Sequence, residues 1–204
     1  MAKTQMALTN AGATKSFQET GRSPSAWRHN ASRLKRASEL LRPMETIDEV
    51  NLLALQSGFA KQHVELMNKH VDNFFTTYPV SIMLLGMSFE SLIKGLIIEA
   101  DPSLVSVSKL NKKIETHDLS ALATRLASVA GIQLTSVEIG LMHPVLSKMI
   151  IWRGRYPIPR DKSNLDGFRH SSEELDDLSA LWKKLDALLE AKCPPLNATP
   201  AQPR

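Results

Sequence analysis

Arg153, Arg155, Tyr156 and Arg160 lie within a short segment stiffened by Pro157 and Pro159. Guanidinium groups so placed can fork onto phosphate oxygens, and Tyr156 can stack on a base. In the competing reading Trp152 and Tyr156 pack on the protein, while the arginines meet Asp161, Asp166 or helix C-termini. A second group is Glu90 and Lys94, four apart in the favourable order. They suit acid and base roles in a helical cleft, or an ion pair that neutralises a buried face. A third is His117-Asp118, where Asp118 reads as a helix N-cap and leaves the imidazole of His117 for solvent or for a groove.

Metal and cofactor chemistry find little foothold. His63 and His70 share a helix face but stand two turns apart, about 10 Å, too far to bind one ion without bridging groups. There is no Cys-x-x-Cys, His-Glu-x-x-His, Walker loop or Gly-x-Gly-x-x-Gly, so neither a metal nor a cofactor is expected. The single cysteine, Cys193, precedes Pro194 and Pro195, which rules out a disulfide framework and suits a reducing compartment. The opening MAKTQMALTN lacks the apolar stretch of a secretory signal, so a cytoplasmic location is expected. Val80 to Ile98 approaches the length of a membrane span. Glu90 and Lys94 stand within it, each costing roughly 2.5–3.5 kcal/mol in a bilayer, so it reads as a buried core helix with no membrane role.

These residues need elements to hold them, and the charge pattern divides the chain first. The net charge is +4, but residues 1–42 carry eight Lys/Arg against Glu19 and Glu39, a local +6 that leaves −2 on the rest. Residues 1–42 read as a flexible basic arm, with a helix over Ser25 to Leu41 near its end. Such an arm can attract nucleic acid or an acidic membrane by charge, although Phe17 and Trp27 are its only aromatics.

Periodicity then predicts a bundle over residues 43–192. Thr46-x-x-Glu49 opens a helix to about Thr76, with Leu52, Leu55, Phe59, His63, Leu66, His70 and Phe74 on one face. Tyr78-Pro79 ends it. A central helix from Pro79 to Ala100 is apolar nearly all round, and Gly86 and Gly95 admit close neighbours. Asp118 caps a short helix ended by Gly131. Thr135-x-x-Glu138 opens another that Pro144 kinks or splits, and Ser171-x-x-Glu174 opens the last, with Leu175, Leu178, Trp182, Leu185 and Leu189 in register. Residues 193–204 read as a disordered proline-rich tail. The expected fold is all-α, a helical bundle of about five helices with one Pro-kinked or split helix.

The ordered phrases SFESLIKGLI, THDLSALATRL and WRGRYPIP resemble the HEPN superfamily over about residues 50–190. The resemblance implies a bundle of four or five helices, often a homodimer with a cleft between subunits, in nucleotide-binding, toxin–antitoxin or defence settings. Active members are metal-independent RNases with an Arg-x(4–6)-His pair. This chain departs from that pattern: Ile158, Pro159 and Arg160 follow Arg153 at the spacing in question, and Arg160, Asp161 and Lys162 follow Arg155. The one formal match, Arg22 to His29, falls in the basic head. Carried over residue by residue, Glu90 and Lys94 match the family's polar pair, His117 and Asp118 its His-Asp-Leu phrase, and Arg153, Arg155 and Tyr156 an Arg-Tyr-Pro loop. The expected function is binding of RNA, a nucleotide or another phosphate-bearing ligand at Arg153, Arg155, Tyr156 and His117, with Arg160 nearby. The alternatives are a non-catalytic protein-interaction or regulatory module with a partner protein, and an RNase in which His117 has taken over proton transfer.

Overall fold

A helix that is apolar around most of its circumference is stable only with neighbours on several sides. The second half of Lys61–Ala100 is such a helix, and the rest of the protein is arranged about it. The computed structural model describes residues 16–42, 61–153 and 170–193, with backbone alone at 61–76 and 152–153. The α-helices, in chain order, are α1 (Pro24–Leu41), α2 (Lys61–Ala100), α3 (Leu119–Ala130), α4 (Ser136–Met142), α5 (Val145–Lys148) and α6 (Ser172–Glu190). Residues 16–22 are also helical, a 3-10 turn covers Pro102–Leu104, and a π-helical turn covers Met149–Arg153. Among the described residues there is no strand, only an isolated bridge between Val105 and Leu110. The fold is an all-α helical bundle, as the periodicity implies.

Two glycines set how closely the neighbours approach α2. A Cβ on Gly95 would lie 2.8 Å from Trp27 Cβ and 2.9 Å from Leu189, so α1 and α6 converge there. Nine residues earlier, half a rotation around the helix, a Cβ on Gly86 would lie 2.8 Å from Ile150 and 3.2 Å from the Leu146 carbonyl oxygen. That close approach seats α5 and the π-helical turn on the opposite face. Phe89, Leu92, Ile93, Leu96 and Ile97 fill the space between. Thr77–Ala100 is long and apolar enough to cross a membrane by composition, and 78% of its apolar window is buried inside the protein.

Local hydrogen bonds set most helix ends. Asp118 accepts from the amides of Ser120 and Ala121, and Gly131 closes α3 at φ 68°, a left-handed conformation suited to glycine. Thr135 with Glu138 and Ser171 with Glu174 form complete capping boxes at α4 and α6. The segment expected to kink at Pro144 is split there, with a cis His143–Pro144 peptide between α4 and α5.

Two expectations need correction. Tyr78-Pro79 does not end a helix, because α2 continues through Pro79. Tyr78, Ile82, Leu85 and Phe89 form one buried stripe, and the Tyr78 hydroxyl accepts the backbone N–H of His170 at 3.1 Å. Burying such side chains contributes about 1.5–3 kcal/mol each, which offsets the roughly 3 kcal/mol that an interior proline costs. The expected helix start at Thr46 and its stripe through Leu52, Leu55 and Phe59 lie outside the described residues.

The second correction concerns the basic arm: the helix expected over Ser25 to Leu41 is present as α1, but it is packed on the bundle, and residues 16–22 before it are helical where a flexible arm is expected. Trp27, Ala31, Leu34 and Ser38 recur at helical spacing, and α1 lies along α2 through this narrow stripe. Arg28 bridges Asp186 at 2.8 Å and Glu190 at 3.0 Å on α6, and Asn30 donates to Ser91 at 2.9 Å. Residues 1–15 and 194–204 lie outside the described residues.

Just before α6, His170 is buried, with Nε2 3.3 Å from the Leu141 carbonyl oxygen and Nδ1 without a partner among the described residues. Burial pushes its pKa below the ordinary 6.5, and the Leu141 contact and Glu174 offset this only in part. The unfolded chain therefore takes up a proton near pH 6.5 that the folded chain refuses, so stability rises with pH across that window. Chemical denaturation between about pH 8 and pH 5 should show stability falling as pH falls, with a flatter profile in His170→Gln. Gly95→Val should lose about 2 kcal/mol in the same measurement, because the branched side chain forces α1 and α6 apart.

Candidate functional site

The buried face of α2 carries one ion pair. Lys94 is only 5% exposed, and its Nζ donates to Glu90 Oε1 at 2.7 Å one turn earlier. An ammonium so far from water requires such a partner. The other Glu90 oxygen, Oε2, lies 2.9 Å from Nδ1 of His117, which enters from the segment before α3. A carboxylate accepts, so Nδ1 carries the proton in this contact and Nε2 faces away from Glu90. The three groups form one chain from a buried cation to a half-exposed imidazole.

Asp118 follows at once. One of its oxygens caps α3, and the same Oδ1 stands 3.6 Å from Nδ1 of His143, which precedes the cis proline. That separation is an electrostatic approach, longer than a hydrogen bond. Ser147, buried on α5, stands 3.3 Å from the same His143 nitrogen and accepts the backbone N–H of Leu119 at 3.0 Å. Ser147 thus ties α5 to the first turn of α3.

Two imidazoles result, His117 with 43% and His143 with 42% of its side-chain surface exposed. Each is held from its Nδ1 side, by Glu90 in one case and by Ser147 and Asp118 in the other. An imidazole fixed in this way presents Nε2 for proton transfer, or as a donor to an anion when protonated. Among the described residues, no group of three or more His, Cys, Asp or Glu side chains is placed to hold a metal ion.

Of the residues singled out in the sequence, Glu90, Lys94, His117 and Asp118 come together. Arg153 closes the π-helical turn that follows α5 directly, and its side chain lies outside the described residues. Arg155, Tyr156 and Arg160 lie outside them altogether. Composition and periodicity missed His143 and Ser147. Their spacing of four is not a helical one, because His143 is extended and the helix is broken between them, so periodicity could not pair them.

No family model, curated protein or solved structure matches this chain. The site is therefore read from its own chemistry.

Glu90→Ala should leave the Lys94 ammonium buried and alone, with a loss of about 3 kcal/mol or more in chemical denaturation. Replacing both charges, Glu90→Leu with Lys94→Met, should recover most of that loss. The double variant should still free the His117 ring, visible as a change in its imidazole NMR resonances.

Proposed function

We propose that this protein is a HEPN-like helical module that binds a phosphate-bearing ligand, RNA or a nucleotide, at the rim made by His117 and His143. One observation carries the reading: two half-exposed imidazoles each have Nδ1 beside an internal side chain, and Asp118, the chain neighbour of His117, stands 3.6 Å from His143. Side chains immobilised beforehand lose little freedom when a ligand arrives, which favours binding. Arg153 ends the turn that follows the Ser147 helix, so a guanidinium on a neighbouring backbone element belongs to the same proposal. Arg155, Tyr156 and Arg160, which follow Arg153 in the sequence, are the further candidates of this reading for phosphate forks and a stacking ring. Proton transfer to or from a bound phosphodiester through Nε2 of His117 is a secondary activity of this reading.

A regulatory protein-interaction module is the second reading, and a different observation favours it. Lys94, Glu90, Asp118 and Ser147 all have internal partners, as members of a purely structural latch would.

Titration of the labelled protein with adenosine monophosphate and with a short 5′-phosphorylated RNA separates the two. The ligand reading predicts imidazole shifts at His117 and His143, and binding about tenfold weaker in His117→Ala, as expected for one lost hydrogen bond to a charged group. Unmoved imidazoles, or shifts confined to other surfaces, would favour the interaction module. Cleavage of a mixed RNA in EDTA, abolished in His117→Ala, would mark the proton-transfer activity.

A further inference from the structure

Helix α1 is the most basic of the described helices, and its cations divide into two sets. Arg28 is engaged by Asp186 and Glu190, and Lys35 bridges Glu39 and lies 5.8 Å from the centre of the Trp182 ring. Arg22, just before the helix, donates to the Val105 carbonyl oxygen. The second set is His29, Arg33 and Arg36, all exposed, with no acidic partner among the described residues. Steps of four and three place them in one row, spanning about 10 Å of helix. Ser25 and Ser32, also exposed, lie along the same side. Among the described residues, the acidic groups on and beside α1 pair elsewhere: Glu39 with Lys35, and Asp186 and Glu190 with Arg28.

We infer that this row is a docking rail for the phosphate backbone of a nucleic-acid strand, separate from the His117 and His143 rim and independent of it. Three observations choose that occupant. Phosphate contacts are made by guanidinium, imidazole and hydroxyl donors, and the row from Ser25 to Arg36 offers only these. A protein partner binds chiefly through buried apolar or aromatic anchors, and this side has none before Leu40. A membrane surface would require the apolar side of the helix, but Trp27, Ala31 and Ser38 are turned onto α2 and α6. The rail also accounts for why charge is concentrated here while residues 43–204 carry a net −2.

The test is fluorescence anisotropy of a labelled oligouridine 20-mer with the full chain over a salt series. Each phosphate contact on a single strand contributes about 0.7 to the slope of log affinity against log salt, so Arg33→Gln with Arg36→Gln should flatten it by about 1.4. Affinity at low salt should fall about tenfold, while shifts induced by adenosine monophosphate at His117 and His143 stay as in the wild type. Arg33→Lys with Arg36→Lys should keep the wild-type slope, and Arg33→Gln alone, expected to flatten it by about 0.7, carries the test should the glutamine pair fail to fold. An unchanged slope in the glutamine pair, or no binding of the 20-mer by wild type at low salt, would overturn the rail. So would retention of the protein by phosphatidylserine vesicles alone, or loss of a dimer in place of loss of RNA binding. Failure of the histidine rim would show instead as unmoved imidazoles with the salt slope intact.

Discussion

Glu90 is a carboxylate on the buried second half of α2, and each of its oxygens has a separate task. Oε1 neutralises Lys94, which has almost no contact with water, and Oε2 holds His117 at the edge of the bundle. Removing a charge pair from water is costly, and an apolar pair of similar size would satisfy the helix at least as well. A polar chain running from the core to a half-exposed imidazole does something an apolar pair cannot: it fixes the ring from behind. The placement of α3 follows, because His117 and Asp118 are consecutive and Asp118 caps that helix. Through Ser147 the same turn is fastened to α5, and α5 and the π-helical turn rest on Gly86.

The packing around α2 makes this arrangement rigid. Gly86 and Gly95 lie on opposite sides and allow contacts shorter than any Cβ would permit. Helix α1 and α6 close one side, joined to each other by Arg28 with Asp186 and Glu190. Each is also tied to α2 through a serine: the Ser81 hydroxyl donates to the Ser38 carbonyl oxygen, and Trp182 donates to Ser88. The bundle thus has an imidazole rim near the start of α3 and a cationic helix row on α1, built by different contacts.

Features set by neighbouring residues were legible in the sequence. Asp118, Thr135 with Glu138, Ser171 with Glu174, and Gly131 were all placed correctly, because a cap is a hydrogen bond across two or three residues. The pairing of Glu90 with Lys94 and the split at Pro144 belong to the same class. What the sequence concealed depends on distant segments. Pro79 breaks an isolated helix, but here the stripe from Tyr78 to Phe89 is buried and holds the turn together. The basic composition of residues 1–42 concealed a narrow stripe of Trp27, Ala31 and Ser38, in which Trp27 fits against Gly95 and Ser38 against Ser81. His143 has Ser147 at 3.3 Å and, 25 positions earlier in the chain, the Asp118 carboxylate at 3.6 Å, and the second relation is one no local pattern records.

The central claim is that Glu90 fixes His117 through Nδ1 and leaves Nε2 facing outward. Long-range proton–nitrogen correlation spectra of the histidine side chains test it directly, since they identify which ring nitrogen carries the proton in the neutral form. The structure predicts that neutral His117 is protonated at Nδ1, and that this preference disappears in Glu90→Gln. A ring protonated at Nε2, or one averaging freely between the two forms in the wild-type protein, would contradict the account.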